Sequence, residues 1–301
     1  MATRSQSLAR FDVTCVRQAM TQARRRYFNR ATIIQAGILA VILFFSFVPM
    51  LMMLSMALRP TVLIYADYWG LPLPPTFDNF RTALFDLLPA MARTLLIATS
   101  SIFGILLFAA PASYAFARIP APGRDKIFLL VLAVMMIPGI VLLIPHFVLA
   151  RRLDLVGTMY GLILFYIAGG QPFAIFLITT FFRSQPAEMY EAARVDGASE
   201  LQSLLQIAVP LASPILVTVA VMNFIGIYED FIWPGLMLNS HQWTLMLALE
   251  RYDPRPSIFF NRPELGLQAA GFAFAIMPQL ILFAFGMKYF IQGLTSGSVK
   301  A

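Results

Sequence analysis

Few side chains here are of the kind that make or break bonds. The two histidines, His146 and His241, have no companion ligands at metal-binding spacing, and Cys15 is the sole cysteine. No His-Glu-x-x-His or Gly-x-Ser-x-Gly run occurs, and no glycine is followed by lysine. Neither a metal hydrolase, a serine nucleophile nor a phosphate-cradling loop is therefore expected. The polar chemistry that remains is binding chemistry, and it gathers in two places. Glu229 and Asp230 stand between Tyr228 and Phe231. Carboxylates beside aromatic faces suit a sugar, whose apolar side stacks while its hydroxyls donate. Residues 184–210 hold Glu191, Ala192, Ala193, Asp196, Gly197 and Ser199. The alanines there permit close approach of another surface, and Glu191 can pair with a basic residue.

Local rules say how that second stretch is positioned. Pro186 suits a helix opening, where the missing amide hydrogen has no intrahelical use. Glu188 and Glu191 follow in the early turns, at the positive end of the dipole. Gly197 supplies the left-handed residue that stops the helix. Ser199, with Gln202 three residues on, forms a capping box for a second helix. The expectation is a polar knuckle of two helices between two hydrophobic spans.

Glu191-Ala192-Ala193, Gly197, Ile207 and Pro210 at these spacings resemble the EAA loop of ABC importer permeases, with Val209 where the family usually has leucine. In that family the loop is the coupling helix that docks on the ATP-hydrolysing subunit. The run from Tyr228 to Pro234 is similar to a sugar-permease stretch that usually reads Trp-Asn-Asp-Phe-Leu-Trp-Pro; tyrosine and glutamate replace its first two residues. The end of the chain, including Thr295, Ser296 and Gly297, is similar to the terminal signature of permeases related to the maltose importer's second membrane subunit. In that subgroup the tail reaches between the ATPase subunits. A plain amphipathic hairpin on the bilayer and a free polar tail are the alternatives for the two segments.

Composition agrees with a membrane setting. Apolar residues make up 59% of the 301 positions and charged ones 12%, about half the usual share of a soluble domain. Charge-free runs cover residues 31–58, 94–117, 127–150, 157–182, 201–228 and 265–287. Each is long enough for a helix crossing about 30 Å of hydrocarbon. The fold expected is an all-α membrane protein of six transmembrane helices. Residues 1–30 would form a basic tail, 31–291 the permease domain with its coupling loop at 184–206, and 292–301 a polar tail. Residues 231–249 are also uncharged, but Pro234, Gly235, Asn239, His241 and Gln242 punctuate them. They read as an interfacial or re-entrant piece. With both termini inside, 14 of the 22 Lys and Arg fall on the cytoplasmic side. The net charge of +7 then suits an anionic inner leaflet and requires no nucleic acid.

The resemblance implies one membrane subunit of a binding-protein-dependent carbohydrate importer in the bacterial inner membrane. Its implied partners are a second homologous permease, two ATP-binding subunits, an extracytoplasmic solute-binding protein and lipid. No cofactor is expected on this chain, with ATP and Mg on the partner subunit. Tyr228, Glu229, Asp230 and Phe231 are the candidate substrate path, and metal ligands are not expected. A secondary transporter working without an ATPase is the rival function; a uronate oligosaccharide or a polyol is the rival substrate class.

Overall fold

The computed structural model describes residues 30–252 and 264–295, with side chains described for 32–252 and 264–286. Expectations for the basic tail, Cys15, the connector at 253–263 and the terminal Ser296 and Gly297 lie outside the described residues, as does the Thr295 side chain. Among the described residues every regular element is helical.

α1 spans Arg30–Ala57 and is followed by the short α2, Thr61–Ala66. Along its apolar length α1 is exposed, with none of its most hydrophobic window buried inside the chain. Such a surface requires lipid or another protein as its solvent. Between α1 and α2 lies Arg59, which is buried. Its guanidinium donates to the carbonyls of Gly70, Leu63 and Asp67 at 2.9, 2.9 and 2.7 Å, folding residues 59–70 into a tight cap.

α3 runs without interruption from Asp78 to Arg118, 41 residues that include Pro89 and Pro111. At 1.5 Å per residue it is about 60 Å long, twice the hydrocarbon thickness. The expected span began only at residue 94, because Arg81, Asp86 and Arg93 end the charge-free run. Tertiary partners carry those charges: Arg93 donates to the Trp243 carbonyl at 3.0 Å, and Asp86 accepts from the Tyr252 hydroxyl at 2.9 Å.

The third expected span is two short helices, α4 (Arg124–Met135) and α5 (Leu143–Arg152). Pro138-Gly139 separates them, since proline offers no amide hydrogen and disfavours helix in the residue before it. α6 (Met159–Ser184) is continuous through Pro172. α7 (Ala187–Val195) forms the knuckle, and α8 (Glu200–Leu211) turns back from it. Within α8, residues Leu204–Ala208 widen into a π-helical turn. Pro210 cannot donate to the carbonyl four residues earlier, and the wider turn absorbs that loss. α9 (Ser213–Glu229) leaves α8 at an angle of 75°. Among the described residues there are therefore four continuous helices long and apolar enough to span, or five if α8 and α9 are one bent span.

After α9 come α10 (Ile232–Met237), a 3-10 turn at Ser240–Gln242 and α11 (Leu245–Glu250). None can cross a bilayer, so the punctuated stretch adds no further span. α12 (Leu265–Thr295) closes the described chain.

Two buried clusters are strung along the α3–α6 pair. Phe182, Tyr114, Tyr190 and Ile215 pack near the knuckle, while Leu87, Leu162, Tyr228, Met237 and Leu245 pack at the far end. Between them the two helices touch closely: a methyl on Gly104 would collide with the side chain of Ile167.

Candidate functional site

The knuckle is built by the local rules its sequence states. Pro186 sits in the extended position before α7. Gly197 has φ +83°, the left-handed region where glycine is least strained. Around it the Asp196 amide donates to Ala192 O at 2.9 Å and the Ala198 amide to Ala193 O at 2.9 Å, satisfying the last carbonyls of the helix. Ser199 and Gln202 close a complete capping box: the Gln202 amide donates to Ser199 Oγ at 3.3 Å, and the Ser199 amide to Gln202 Oε1 at 2.8 Å.

What holds the knuckle to the bundle is a set of side chains that sequence reasoning missed. Tyr190, on the inner face of α7, is buried beneath Arg118, the last residue of α3. The Arg118 guanidinium stands 4.2 Å from the centre of the Tyr190 ring. It donates to Gln185 O at 2.7 Å and also to Phe182 O. The Tyr190 hydroxyl donates to Gln185 Oε1. Burial pushes the Tyr190 phenol above its ordinary value, while the Arg118 cation pulls the other way. One turn back along α3, the Tyr114 hydroxyl donates to Glu200 Oε2 at 2.8 Å. Arg194 of α7 donates to the other oxygen, Glu200 Oε1, at 3.0 Å. One carboxylate thus ties together α3, α7 and α8. The signal in the sequence was Tyr114 and Arg118 at helical spacing before the Pro120 turn, but their partners lie 64 or more residues on.

With Tyr190 turned inward, the opposite side of the knuckle is free. Glu191, Ala192, Asp196, Gly197 and Ser199 are exposed, and Ala193 is half-buried. Val195 is 87% exposed and Leu201 64%, so apolar surface stands beside the exposed carboxylates. A rigid, small-residue surface with an apolar centre and acidic edge is suited to seating in a protein cleft rather than to bond chemistry.

The four candidate path residues do not share one face. Tyr228 is fully buried, stacked on Phe224 with ring centres 5.4 Å apart, and its hydroxyl donates to Ala275 O at 2.6 Å. Asp230 caps α10, accepting from the amides of Ile232 and Trp233 at 2.8 and 3.2 Å, and also accepts from the Tyr166 hydroxyl at 2.8 Å. Phe231 is exposed. Glu229 accepts from Gln279 Nε2 at 2.9 Å, and Gln279 lies about 21 Å along α12 from Leu265. A straight helix counted from Ile207 would put the acid pair about 33 Å along, at the outer edge of a bilayer; the 75° bend leaves α9 as a separate rod about 25 Å long. Among the described residues no group of three metal-ligating side chains exists.

The pattern of the family described as binding-protein-dependent transport system inner membrane component matches residues 109–296. The chain belongs to that family. The matched region runs from the end of α3 through the knuckle to the end of α12. Among relatives of this permease chain, the trehalose transport system permease protein SugB of Mycobacterium tuberculosis is 32% identical over 260 residues, 85% of this chain and 93% of its own length. The diacetylchitobiose uptake system permease protein NgcG of Streptomyces coelicolor is 28% identical over 256 residues, 84% of each. The permease also shares its fold with a chain of a bacterial ABC transporter involved in the import of the acidic polysaccharide alginate. That match has a TM-score of 0.77 at 23% identity, and covers 87% of this chain and 99% of the other.

Proposed function

We propose that this permease is one of two membrane subunits of an ATP-driven carbohydrate importer in the bacterial inner membrane. It forms half of the path and receives the motion of two ATP-binding subunits through the knuckle. The observation that supports this reading most is the knuckle's two-sided build. Tyr190 and Glu200 root it in the bundle, while Glu191, Ala192, Val195 and Gly197 present a free surface. Carbohydrate as the substrate class is supported by the trehalose and diacetylchitobiose relatives.

In this reading α4 and α5 together make the third of six spans, and both termini lie with the knuckle in the cytoplasm. The second permease packs beside this one, and a solute-binding protein delivers sugar at the opposite face. Thr295, Ser296 and Gly297 reach the ATPase subunits, and ATP with Mg is bound there rather than here. Closure of the ATPases pushes on Glu191–Gly197, and the roots pass that push to the helices. Asp230 acts in the path by shaping the turn after α9, and Glu229 is the residue of the four with a carboxylate oxygen free for solute hydroxyls.

Reconstitution tests the proposal. Liposomes holding both permeases and the ATPases are expected to accumulate sugar only with ATP inside the compartment that bears the ATPases and with binding protein on the other side. Accumulation by this chain alone, without ATPase, would identify a self-sufficient carrier instead.

A further inference from the structure

The covalent neighbours of the knuckle are α6 and α8, yet its strongest non-covalent attachments are to α3. Tyr114 holds Glu200 at 2.8 Å, and Arg118 holds the Gln185 carbonyl at 2.7 Å and covers the Tyr190 ring. Arg194 of the knuckle also reaches back to the Arg118 carbonyl at 3.4 Å. The far end of the same helix holds the segment after α9 just as directly. Thr94 Oγ1 accepts from the buried Leu245 amide at 2.7 Å, Arg93 donates to Trp243 O at 3.0 Å, and Asp86 accepts from the Tyr252 hydroxyl at 2.9 Å. Asp86 and Arg118 are joined by 32 residues of unbroken helix, about 48 Å.

We infer that α3 is a lever: Tyr114, Glu200 and Arg118 are positioning residues that latch the knuckle to it, so that movement of the knuckle is delivered to residues 243–252 at the opposite end of the bundle. Physically, α3 stays one continuous helix through Pro89 and Pro111, although each proline removes a hydrogen bond, and so carries displacement along a single rod, whereas the α8–α9 route contains a π-helical turn and a 75° bend that absorb it. The direct chain route is therefore the soft one and the latched route the stiff one. Residues 243–252 would then shift in step with ATPase closure although no covalent segment shorter than α8 to α11 joins them to the knuckle.

This rests on the docking proposed above, and the test separates the two. In the reconstituted importer, Tyr114→Phe removes one hydroxyl and leaves the docking surface untouched. The variant is expected to retain its ATPase subunits and its ATP hydrolysis, while sugar moved per ATP falls about fivefold. Glu200→Gln, which keeps an acceptor for Tyr114, is expected to lose less. Unchanged sugar per ATP in Tyr114→Phe overturns the lever; failure of the parent chain to retain ATPases overturns the docking reading instead. A distance measurement needs no latch variant. Spin labels at Ala187→Cys and Leu88→Cys, on a Cys15→Ser background, are expected to keep the same separation with and without bound ATP. A separation that changes by several ångströms between the two states overturns the lever, because α3 would not be travelling with the knuckle.

Discussion

Arg118 and Tyr190 stack at 4.2 Å, with the arginine's donors turned onto the carbonyls that end α6 and lead into α7. The Phe182 carbonyl accepts from the Gln185 cap amide at 3.3 Å as well, so the cation reinforces the end of one helix while covering the aromatic root of the next. Removing it should loosen the knuckle without touching its outer surface. Arg118→Ala is expected to cost about 2 kcal/mol, the scale of hydrogen bonds to a charged group. Thermal unfolding in detergent reads the loss. Arg118→Lys should recover only part of it, since an ammonium lacks the planar fork.

Gly197 separates backbone cost from steric cost. A Cβ there meets nothing within 4 Å, so Gly197→Ala is penalised only for its left-handed φ, by about 1–2 kcal/mol. Gly197→Asn should be milder. Gly197→Pro cannot adopt φ +83° and should leave insertion intact while uncoupling ATP turnover from uptake. Uptake assays across the three variants check the order Asn, Ala, Pro.

Glu191 is exposed and, among the described residues, has no hydrogen bond or ion pair. Glu191→Lys should therefore leave the melting temperature of the chain unchanged while weakening retention of the ATPase subunits. Retention is expected to fall further at low salt, where like charges across the joint are least screened. Co-purification at two ionic strengths measures it.

Tyr228 tests the division between path and packing. Its hydroxyl is spent on Ala275 O, so Tyr228→Phe should lower stability by about 1 kcal/mol and leave sugar preference unchanged. Glu229→Gln should do the reverse, altering competition between sugars with little effect on melting. Competition uptake alongside thermal unfolding distinguishes the two.

These residues also mark how far the sequence could be read. Pro186, Gly197 and the Ser199–Gln202 pair act within a few residues of themselves, and the knuckle's local form followed from them. The charge-free run 127–150 read as one span, because hydropathy alone does not register the break that Pro138-Gly139 makes in the backbone. The start of α3 at Asp78 was hidden for a related reason. Arg81, Asp86 and Arg93 look like the end of a hydrophobic run until Trp243 and Tyr252, more than 140 residues on, are seen to partner two of them. The roots of the knuckle were hidden most completely. Tyr114, Arg118 and Tyr190 are ordinary residues for helix ends, and only the folded chain brings them together.

Coupling requires the knuckle to touch the ATPase subunits on the inner side of the membrane. With Cys15→Ser as background, a single Ala192→Cys placed on its exposed face should cross-link to an ATPase subunit in the assembled importer, and Phe231→Cys at the far end of α9 should not. Labelling of Ala192→Cys by a membrane-impermeant thiol reagent from outside intact cells, with no ATPase cross-link formed, would contradict it.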